Sequence, residues 1–297
     1  MVWAYDSISL TLNTCQIRIS MKPRDQQILF LAAICILSGI IACLILNPFW
    51  TQADAAQPTA PDTYDTLYQV STINALLQSV YDGITPISEV KKHGDTAIGT
   101  IDGLDGELIG VDGDYYVIRT DGVAYPLEDT TKTPFVTATF FEADITIHTE
   151  HTANISQFEG QLVGGLPSAN MVYAIRIDGP FDYVKTRSVP KQSRPYPKLA
   201  EVVKEQTEFE FYNTSGTIVG FWSPEFVSGL NVPGYHIHFL TDDRTAGGHV
   251  LDLRMTGRDI KIDITPDLYI VLPTEGDFYH VDLTEDLESA LESVEKN

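Results

Sequence analysis

Three hydrophobic patterns succeed one another along the chain, and each predicts a different structure. Residues 28–46 form an unbroken run of apolar and weakly polar residues, long enough to span the hydrocarbon core of a bilayer. Between residues 67 and 81, apolar residues recur at spacings of three and four, which predicts a helix that stops at Asp82 and Gly83. From residue 97 onward the period changes to two, which predicts short strands.

Turn signals divide the strand region. Asp-Gly dipeptides, typical of tight hairpin turns, stand at 102–103, 105–106, 112–113 and 121–122. Further strands are predicted at 135–141, 144–148, 171–178, 208–213, 215–221, 235–241, 248–255, 258–263 and 267–272, whereas 154–166 fits neither period and 284–294 predicts a closing helix. The pattern predicts an α+β protein with two lobes built on mostly antiparallel or mixed β-sheets and few helices.

Composition suggests where the chain divides. We assign 1–56 to an N-terminal signal or membrane-anchor segment and 57–63 to a linker rich in Ala, Pro, Gln and Thr. An N-terminal lobe would then span 64–190 and a C-terminal lobe 191–297, separated by a basic, proline-containing connection.

The N-terminus has the order of a targeting segment. Lys22 and Arg24 precede the apolar run, and Ala53 and Ala55 form a small-residue cleavage pattern after it. Met21 offers an alternative start to Met1. Positive charge before the run places the rest of the chain outside the cytoplasm, secreted if the segment is cleaved and membrane-anchored by 28–46 if it is not.

Charge and cysteine content exclude several kinds of function. The formal net charge is −22, which repels phosphate backbones and argues against a nucleic-acid partner. All three cysteines (Cys15, Cys35 and Cys43) precede residue 50, so the folded part uses neither a disulfide framework nor a thiolate nucleophile.

The most informative motif is a pair of histidines on a predicted strand. His236 and His238 are two residues apart, so both imidazoles lie on one face. A turn-rich loop follows, and an antiparallel hairpin would bring His249 back towards the pair. Three protein ligands with open positions are typical of a catalytic metal site, for which zinc is favoured and other divalent metals also fit. The alternative is a set of half-buried sheet histidines hydrogen-bonded to their neighbours.

Around this motif the sequence resembles the acetolactate decarboxylase family. Residues 234–252 (GYHIHFLTDDRTAGGHVLD) look like that family's signature almost throughout. Shorter matches, in the family's order, lie at 71–77, 81–83, 93–95, 99–100, 104–107, 133–135, 187–190 and 294–296. The resemblance extends from about residue 64 to the end of the sequence.

This resemblance implies a two-lobed α+β enzyme, often dimeric, with zinc between the lobes. It implies that the metal ligands are His236, His238 and His249, and that the polar active-site residues are Glu107, Arg187 and Glu295, with Thr100 nearby. The implied reaction converts 2-acetolactate to acetoin and carbon dioxide.

The chemistry is consistent with these residue types. Losing carbon dioxide leaves an electron pair that must flow into the ketone, and a divalent metal would stabilise the resulting enediolate. Arg187 suits the substrate carboxylate because a guanidinium can bind it in bidentate fashion. Glu107 or Glu295 would then protonate the carbon. We expect Arg244 to pair with the neighbouring acids and hold the metal loop.

Two other functions fit the histidines. One is a different three-histidine metal enzyme, such as a cupin or a zinc hydratase. Cupins add a glutamate soon after the histidine pair, which is not visible here, and a hydratase would not need Arg187 or Glu295. The other is an extracytoplasmic metal-binding module, which would bind metal without turning over 2-acetolactate.

Overall fold

The computed structural model describes residues 7–12, 15–20 and 64–295, which fall into two units, Met1–Thr59 and Ala60–Asn297. In the first unit, β1 (Ser7–Leu12) and β2 (Cys15–Ser20) pair as an antiparallel hairpin. The apolar run at 28–46 and the linker at 57–63 lie outside the described residues. Within the described part, no helix combines the length and apolarity needed to cross a membrane.

In its described part, the second unit contains five α-helices and fourteen strands. The helices are α1 (Ile73–Leu77), α2 (Ile87–Val90), α3 (Ile155–Gly165), α4 (Leu199–Val202) and α5 (Glu288–Glu295). The strands are β3 (Thr66–Val70), β4 (Thr85–Pro86), β5 (Thr96–Thr100), β6 (Glu107–Val111), β7 (Asp114–Ile118), β8 (Ala124–Pro126), β9 (Lys132–Thr133), β10 (Val136–Thr139), β11 (Ile145–Thr152), β12 (Tyr173–Ser188), β13 (Thr207–Ser223), β14 (Gly234–Thr241), β15 (Gly247–Ile264) and β16 (Asp267–Val271). This composition confirms the predicted α+β class.

Two large sheets organise this unit. The seven-stranded sheet has the order β16-β3-β10-β5-β6-β7-β8 and is mixed, because β16 runs parallel to β3 while the other pairs are antiparallel. The antiparallel five-stranded sheet has the order β11-β15-β12-β13-β14, and β14 also pairs with β15. This extra pairing closes the four strands β12, β13, β14 and β15 into a ring. It also places β14 and β15, which carry the three histidines, side by side.

Apolar side chains from both sheets share one core. Ile98 and Ile109 of the seven-stranded sheet pack with Ala174, Val219 and Phe221 of the five-stranded sheet, and all five are buried. The boundary expected at residue 190 stays a prediction. The five-stranded sheet takes strands from both sides of that position, and β16 returns to the sheet that contains β3.

The helix predicted over 67–81 is wrong at both of its ends. Residues Thr66–Val70 form a strand, and only Ile73–Leu77 are helical. All five residues of β3 are buried, so the strand shows no two-residue alternation that would distinguish it from a helix. The helix begins where Thr72 accepts a hydrogen bond from the Ala75 amide.

Several predicted strands are longer than their sequence pattern. Segments 208–213 and 215–221 belong to the single strand β13, and 248–255 and 258–263 both belong to β15. The ambiguous segment at 154–166 contains α3, whose first turn is capped by the Asn154 side chain bonded to the Gln157 amide. Long strands continue through turn-forming residues because neighbouring strands satisfy their backbone groups.

Candidate metal centre and active site

Three histidines meet where β14 and β15 pair. His236 and His238 lie on the same face of β14, and His238 stands directly opposite His249 on β15. One ring nitrogen from each histidine lies within 4.8 Å of the others. All three side chains are buried, and His238 is fully inaccessible. The predicted hairpin therefore brings the three imidazoles together.

Hydrogen bonding and burial suit these imidazoles to a metal. The Nδ1 of His238 donates a 2.8 Å hydrogen bond to the Leu108 carbonyl, which leaves the lone pair on Nε2. The Nε2 atoms of His238 and His249 have no hydrogen-bond partner among the described residues. Burial lowers the pKa of His236 to about 3, and the pKa values of His238 and His249 also lie well below the usual range. Neutral imidazoles with free lone pairs are the form that binds a metal.

Two buried glutamates face the same nitrogens. Glu107 Oε2 lies 3.7 Å from His238 Nε2, and Glu295 Oε2 lies 3.8 Å from His236 Nε2 and 3.9 Å from His249 Nε2. The three histidine nitrogens lie within 4.8 Å of one another, and buried neutral imidazoles are suitable metal ligands. The residues present therefore fit a metal ion, with the two carboxylates beside it.

Burial also changes the titration of these carboxyl groups. It raises the pKa of Glu107 to about 7, with Arg187 opposing the shift and Glu295 adding to it. Burial likewise raises the pKa of Glu295 to about 7 against the opposing effect of Arg187. Both side chains therefore accept a proton more readily than an exposed glutamate does.

Arg187 connects the histidine strand to the glutamates. It stands opposite His249 in the β12–β15 ladder, and its Nη1 donates a 3.1 Å hydrogen bond to Glu107 Oε1. Its Nη2 donates to the Val294 carbonyl at 3.2 Å, which ties the last turn of α5 to the site. Gly248, with a φ of 136°, allows β15 to lie close to the Arg187 backbone, because a Cβ there would lie 2.5 Å from the Arg187 carbonyl oxygen.

Thr100 and Gly106 set the position of Glu107. Thr100 pairs with Glu107 between β5 and β6, and its Oγ1 donates a 2.8 Å hydrogen bond to the Gly106 carbonyl. Gly106 has a φ of 96°, and a Cβ there would lie 2.3 Å from the Ile118 carbonyl oxygen. Only glycine is tolerated before Glu107, so the local backbone directs the carboxylate towards the histidines.

An open cavity borders the centre and has two chemically different walls. One wall carries Thr100, Glu107, Arg187, His236 and Glu295, and the rest of the lining is largely apolar. The apolar side chains come from separate segments: Ile73, Leu76, Leu104, Phe135, Val189 and Leu199. The arrangement can hold a small molecule with charged or polar atoms on one side and alkyl groups on the other.

The predicted site residues therefore converge, although they come from segments far apart in sequence. The expectation for Arg244 was wrong in its partner: within the described part of the chain, its side chain pairs with Asp112 at 3.5 Å and makes no ion pair with Asp242 or Asp243. The Leu108 carbonyl and the apolar wall were not foreseen. They carry no polar signal in the sequence, and only the packing of the two sheets brings them to the site.

The fold and the site together define an α+β protein with a buried three-histidine centre that could hold a metal ion. The chain belongs to the alpha-acetolactate decarboxylase family, whose sequence profile matches residues 67–285. It is 56% identical over 232 residues to the alpha-acetolactate decarboxylase of Methanosarcina mazei, covering 78% of this chain and 81% of that protein. The alpha-acetolactate decarboxylase of Bacillus licheniformis is 42% identical over 234 residues, covering 78% and 92%. The crystal structure of alpha-acetolactate decarboxylase from Bacillus subtilis strain 168 matches with a TM-score of 0.75 and 42% identity, covering 78% of this chain and all of that one.

Proposed function

We propose that this protein decarboxylates 2-acetolactate to acetoin and carbon dioxide, with a divalent metal ion held by His236, His238 and His249. The observation that carries the proposal is the convergence of three buried, neutral imidazoles with Glu107, Arg187 and Glu295 beside one cavity. Membership of the family supports the reaction. Imidazole ligands favour zinc, although other divalent metals accept the same ligands.

Arg187 and the apolar wall would orient the substrate. In 2-acetolactate, one carbon carries the carboxylate, the hydroxyl and a methyl group. The adjacent carbon is the ketone, which carries the second methyl group. Two guanidinium nitrogens of Arg187 already donate to Glu107 and Val294, whereas its buried Nε has no hydrogen-bond partner among the described residues. We therefore assign the substrate carboxylate to the Nε side of Arg187 and the methyl groups to the apolar wall.

The reaction balances when the substrate anion loses carbon dioxide and gains one proton. The bond to the carboxylate breaks, carbon dioxide leaves, and the electron pair passes into the neighbouring ketone to give an enediolate. A bound divalent cation supplies Lewis-acid stabilisation of the negative charge that develops on the substrate oxygens. Glu107 or Glu295 then delivers a proton to the carbon that lost carbon dioxide, producing acetoin. Since these carboxyl groups are fixed in the protein, the proton arrives from one face and the product is chiral.

The first experiment measures acetoin formed by the full-length protein from racemic 2-acetolactate. We expect acetoin formation that a chelator abolishes and that added zinc restores. Acetoin production no faster than the spontaneous reaction, by folded and zinc-loaded protein, would refute the assignment. Metal binding without turnover would instead indicate a metal-binding module.

We also propose that residues 64–297 lie outside the cytoplasm and that the enzyme is a homodimer. The basic residues before the apolar run at 28–46 support the location, and the resemblance to a family whose members are often dimeric supports the assembly. Protease treatment of intact cells should remove an anchored domain, or culture medium should contain a secreted one. Analytical ultracentrifugation of the purified protein measures the oligomeric state, and a monomer would contradict the second proposal.

A further inference from the structure

Arg187 and Glu107 both lie where a strand ends. Arg187 is the next-to-last residue of β12, and Glu107 is the first residue of β6. The pairing of β12 with β15 also finishes here, with Arg187 opposite His249. Strand ends open more readily than strand centres, because fewer backbone hydrogen bonds hold them. A further contact is therefore needed to keep the two side chains at a fixed separation.

Ser188 makes such a contact. It is the last residue of β12, and its side chain is fully buried. Its Oγ donates a 2.8 Å hydrogen bond to the carbonyl of Ile118. Ile118 is the last residue of β7 and stands opposite Glu107 in the β6–β7 ladder. The hydrogen bond therefore joins the residue after Arg187 to the residue opposite Glu107.

The neighbouring hydroxyl of Thr186 has a different kind of partner. Its Oγ1 donates a 2.9 Å hydrogen bond to the Gly247 carbonyl, but Gly247 lies on β15, which already pairs with β12. Ser188 instead reaches from the five-stranded sheet to the seven-stranded sheet. Among the described strands, β12 and β7 share no backbone ladder, so the Ser188 side chain makes a connection that the backbone does not.

We propose that Ser188 is a positioning residue whose hydrogen bond to the Ile118 carbonyl fixes Arg187 relative to Glu107 and to the substrate carboxylate. The inference rests on the proposed function, in which Arg187 binds that carboxylate. Arg187 lines the active-site cavity, whereas Ser188 is not part of its described lining. Ser188 therefore acts on the substrate through Arg187.

The first variant is Ser188→Ala, which removes the hydroxyl oxygen and leaves the rest of the side chain in place. We expect kcat/KM for 2-acetolactate to fall about tenfold, because a small misplacement of a group that orients the substrate slows the reaction. The metal content measured by elemental analysis should not change, since His236, His238 and His249 lie on other strands.

A double-mutant cycle with Arg187→Lys separates positioning from general stability. Lysine carries its charge on a flexible stem, so its ammonium depends little on the exact position of the strand end. If Ser188 acts through the guanidinium of Arg187, adding Ser188→Ala to Arg187→Lys should change kcat/KM by less than about twofold. A merely structural role would lower kcat/KM by the same factor in both backgrounds.

The matched control is Thr139→Val, which removes another buried hydroxyl. Thr139 Oγ1 donates a 3.0 Å hydrogen bond to the Thr66 carbonyl, within the seven-stranded sheet. Both Ser188→Ala and Thr139→Val should unfold at a lower urea concentration than the unmodified protein, because each leaves a buried carbonyl without its hydroxyl donor. We expect only Ser188→Ala to lower kcat/KM.

Three results would overturn the proposal: an unchanged kcat/KM in Ser188→Ala, an equal loss in Thr139→Val, or a full loss in the Arg187→Lys background. If Ser188→Ala does not fold, Ser188→Cys keeps a similar volume with a weaker donor, and the same cycle applies with a smaller expected loss. If the unmodified protein forms no acetoin above the spontaneous rate, the proposed function itself is refuted, and the role of Ser188 is refuted with it. That result is visible before any variant is compared.

Discussion

Arg187 and Glu107 form a buried ion pair in which Nη1 lies 3.1 Å from Oε1. Arg187 comes from β12 of the five-stranded sheet, and Glu107 begins β6 of the seven-stranded sheet. The pair therefore joins the two sheets at the active site. Its members are 95% and 92% buried, so water does little to weaken the interaction.

Replacing Arg187 by lysine should reduce catalysis even though the positive charge remains. A lysine cannot hold Glu107 and the Val294 carbonyl while also presenting a planar donor to the substrate. We expect kcat/KM to fall by on the order of 100-fold, as for the loss of a single preorganised donor. Steady-state kinetics at saturating metal measure the change, and an unaltered kcat/KM would exclude the assigned role of Arg187.

Replacing His238 by alanine should abolish tight metal binding. The variant loses one of three imidazoles and leaves the Leu108 carbonyl without its donor. Elemental analysis after dialysis should find little metal, and acetoin formation should fall to the spontaneous rate. The control is His148→Ala, since His148 lies exposed on β11 beside Asp259. Full metal content in the His238 variant would contradict the proposed ligand set.

The two glutamates should differ in their effect on product stereochemistry. We expect one of the two variants, Glu107→Gln or Glu295→Gln, to release carbon dioxide and yield racemic acetoin. In that variant the proton donor is missing, and water protonates the enediolate from both faces. Loss of a general acid should also slow turnover by about 100-fold or more. Chiral gas chromatography of the acetoin identifies the donor. A single enantiomer from both variants would show that neither glutamate delivers the proton.

Shortening Leu199 should widen the substrate range. Leu199 is buried and lines the apolar wall, so Leu199→Ala opens space for an ethyl group in place of a methyl group. We expect the ratio of kcat/KM for 2-aceto-2-hydroxybutyrate over 2-acetolactate to rise about tenfold. The control is Leu162→Ala on α3, which is buried in a separate apolar cluster against the five-stranded sheet. Both variants should lose about 2–5 kcal/mol of unfolding free energy. A rise in the kcat/KM ratio for both variants would refute the role of the apolar wall.

Asp263 should make the protein less stable as the pH rises. Burial, followed by the effects of Asp144, Asp65 and Asp95, raises its pKa from 3.8 to about 7. Folding therefore favours the protonated form, and this stability is complete below pH 3.8 and is lost as the pH rises through 7. Asp263→Asn keeps an acceptor for the Glu142 amide and removes the titrating group.

The variant should therefore match the unmodified protein near pH 4 and exceed it near pH 8 by on the order of 4 kcal/mol. Urea unfolding at several pH values measures the difference in free energy of unfolding. A difference that does not depend on pH would show that Asp263 is not the responsible group.

Local features determined much of the fold and the histidine site. The Asp-Gly dipeptides marked the hairpins at β5 to β8, and the two-residue spacing of His236 and His238 placed both side chains on one face. These inferences held because turn geometry and strand alternation depend only on residues adjacent in sequence. The family resemblance added Glu107, Arg187 and Glu295, which no local pattern distinguishes from surface charges.

Tertiary structure decided the remaining features. The sequence pattern predicts a helix where Thr66–Val70 form a strand, because both faces of the sheet are covered there and burial leaves no alternation along the chain. The hydrogen bond from His238 to the Leu108 carbonyl spans 130 residues, and the contact between Arg187 and Glu107 spans 80. Such contacts form only when two sheets pack together, since their geometry depends on the shape of the shared core and not on any neighbouring residue. The apolar wall arises in the same way, from side chains that only the packed fold brings to one surface.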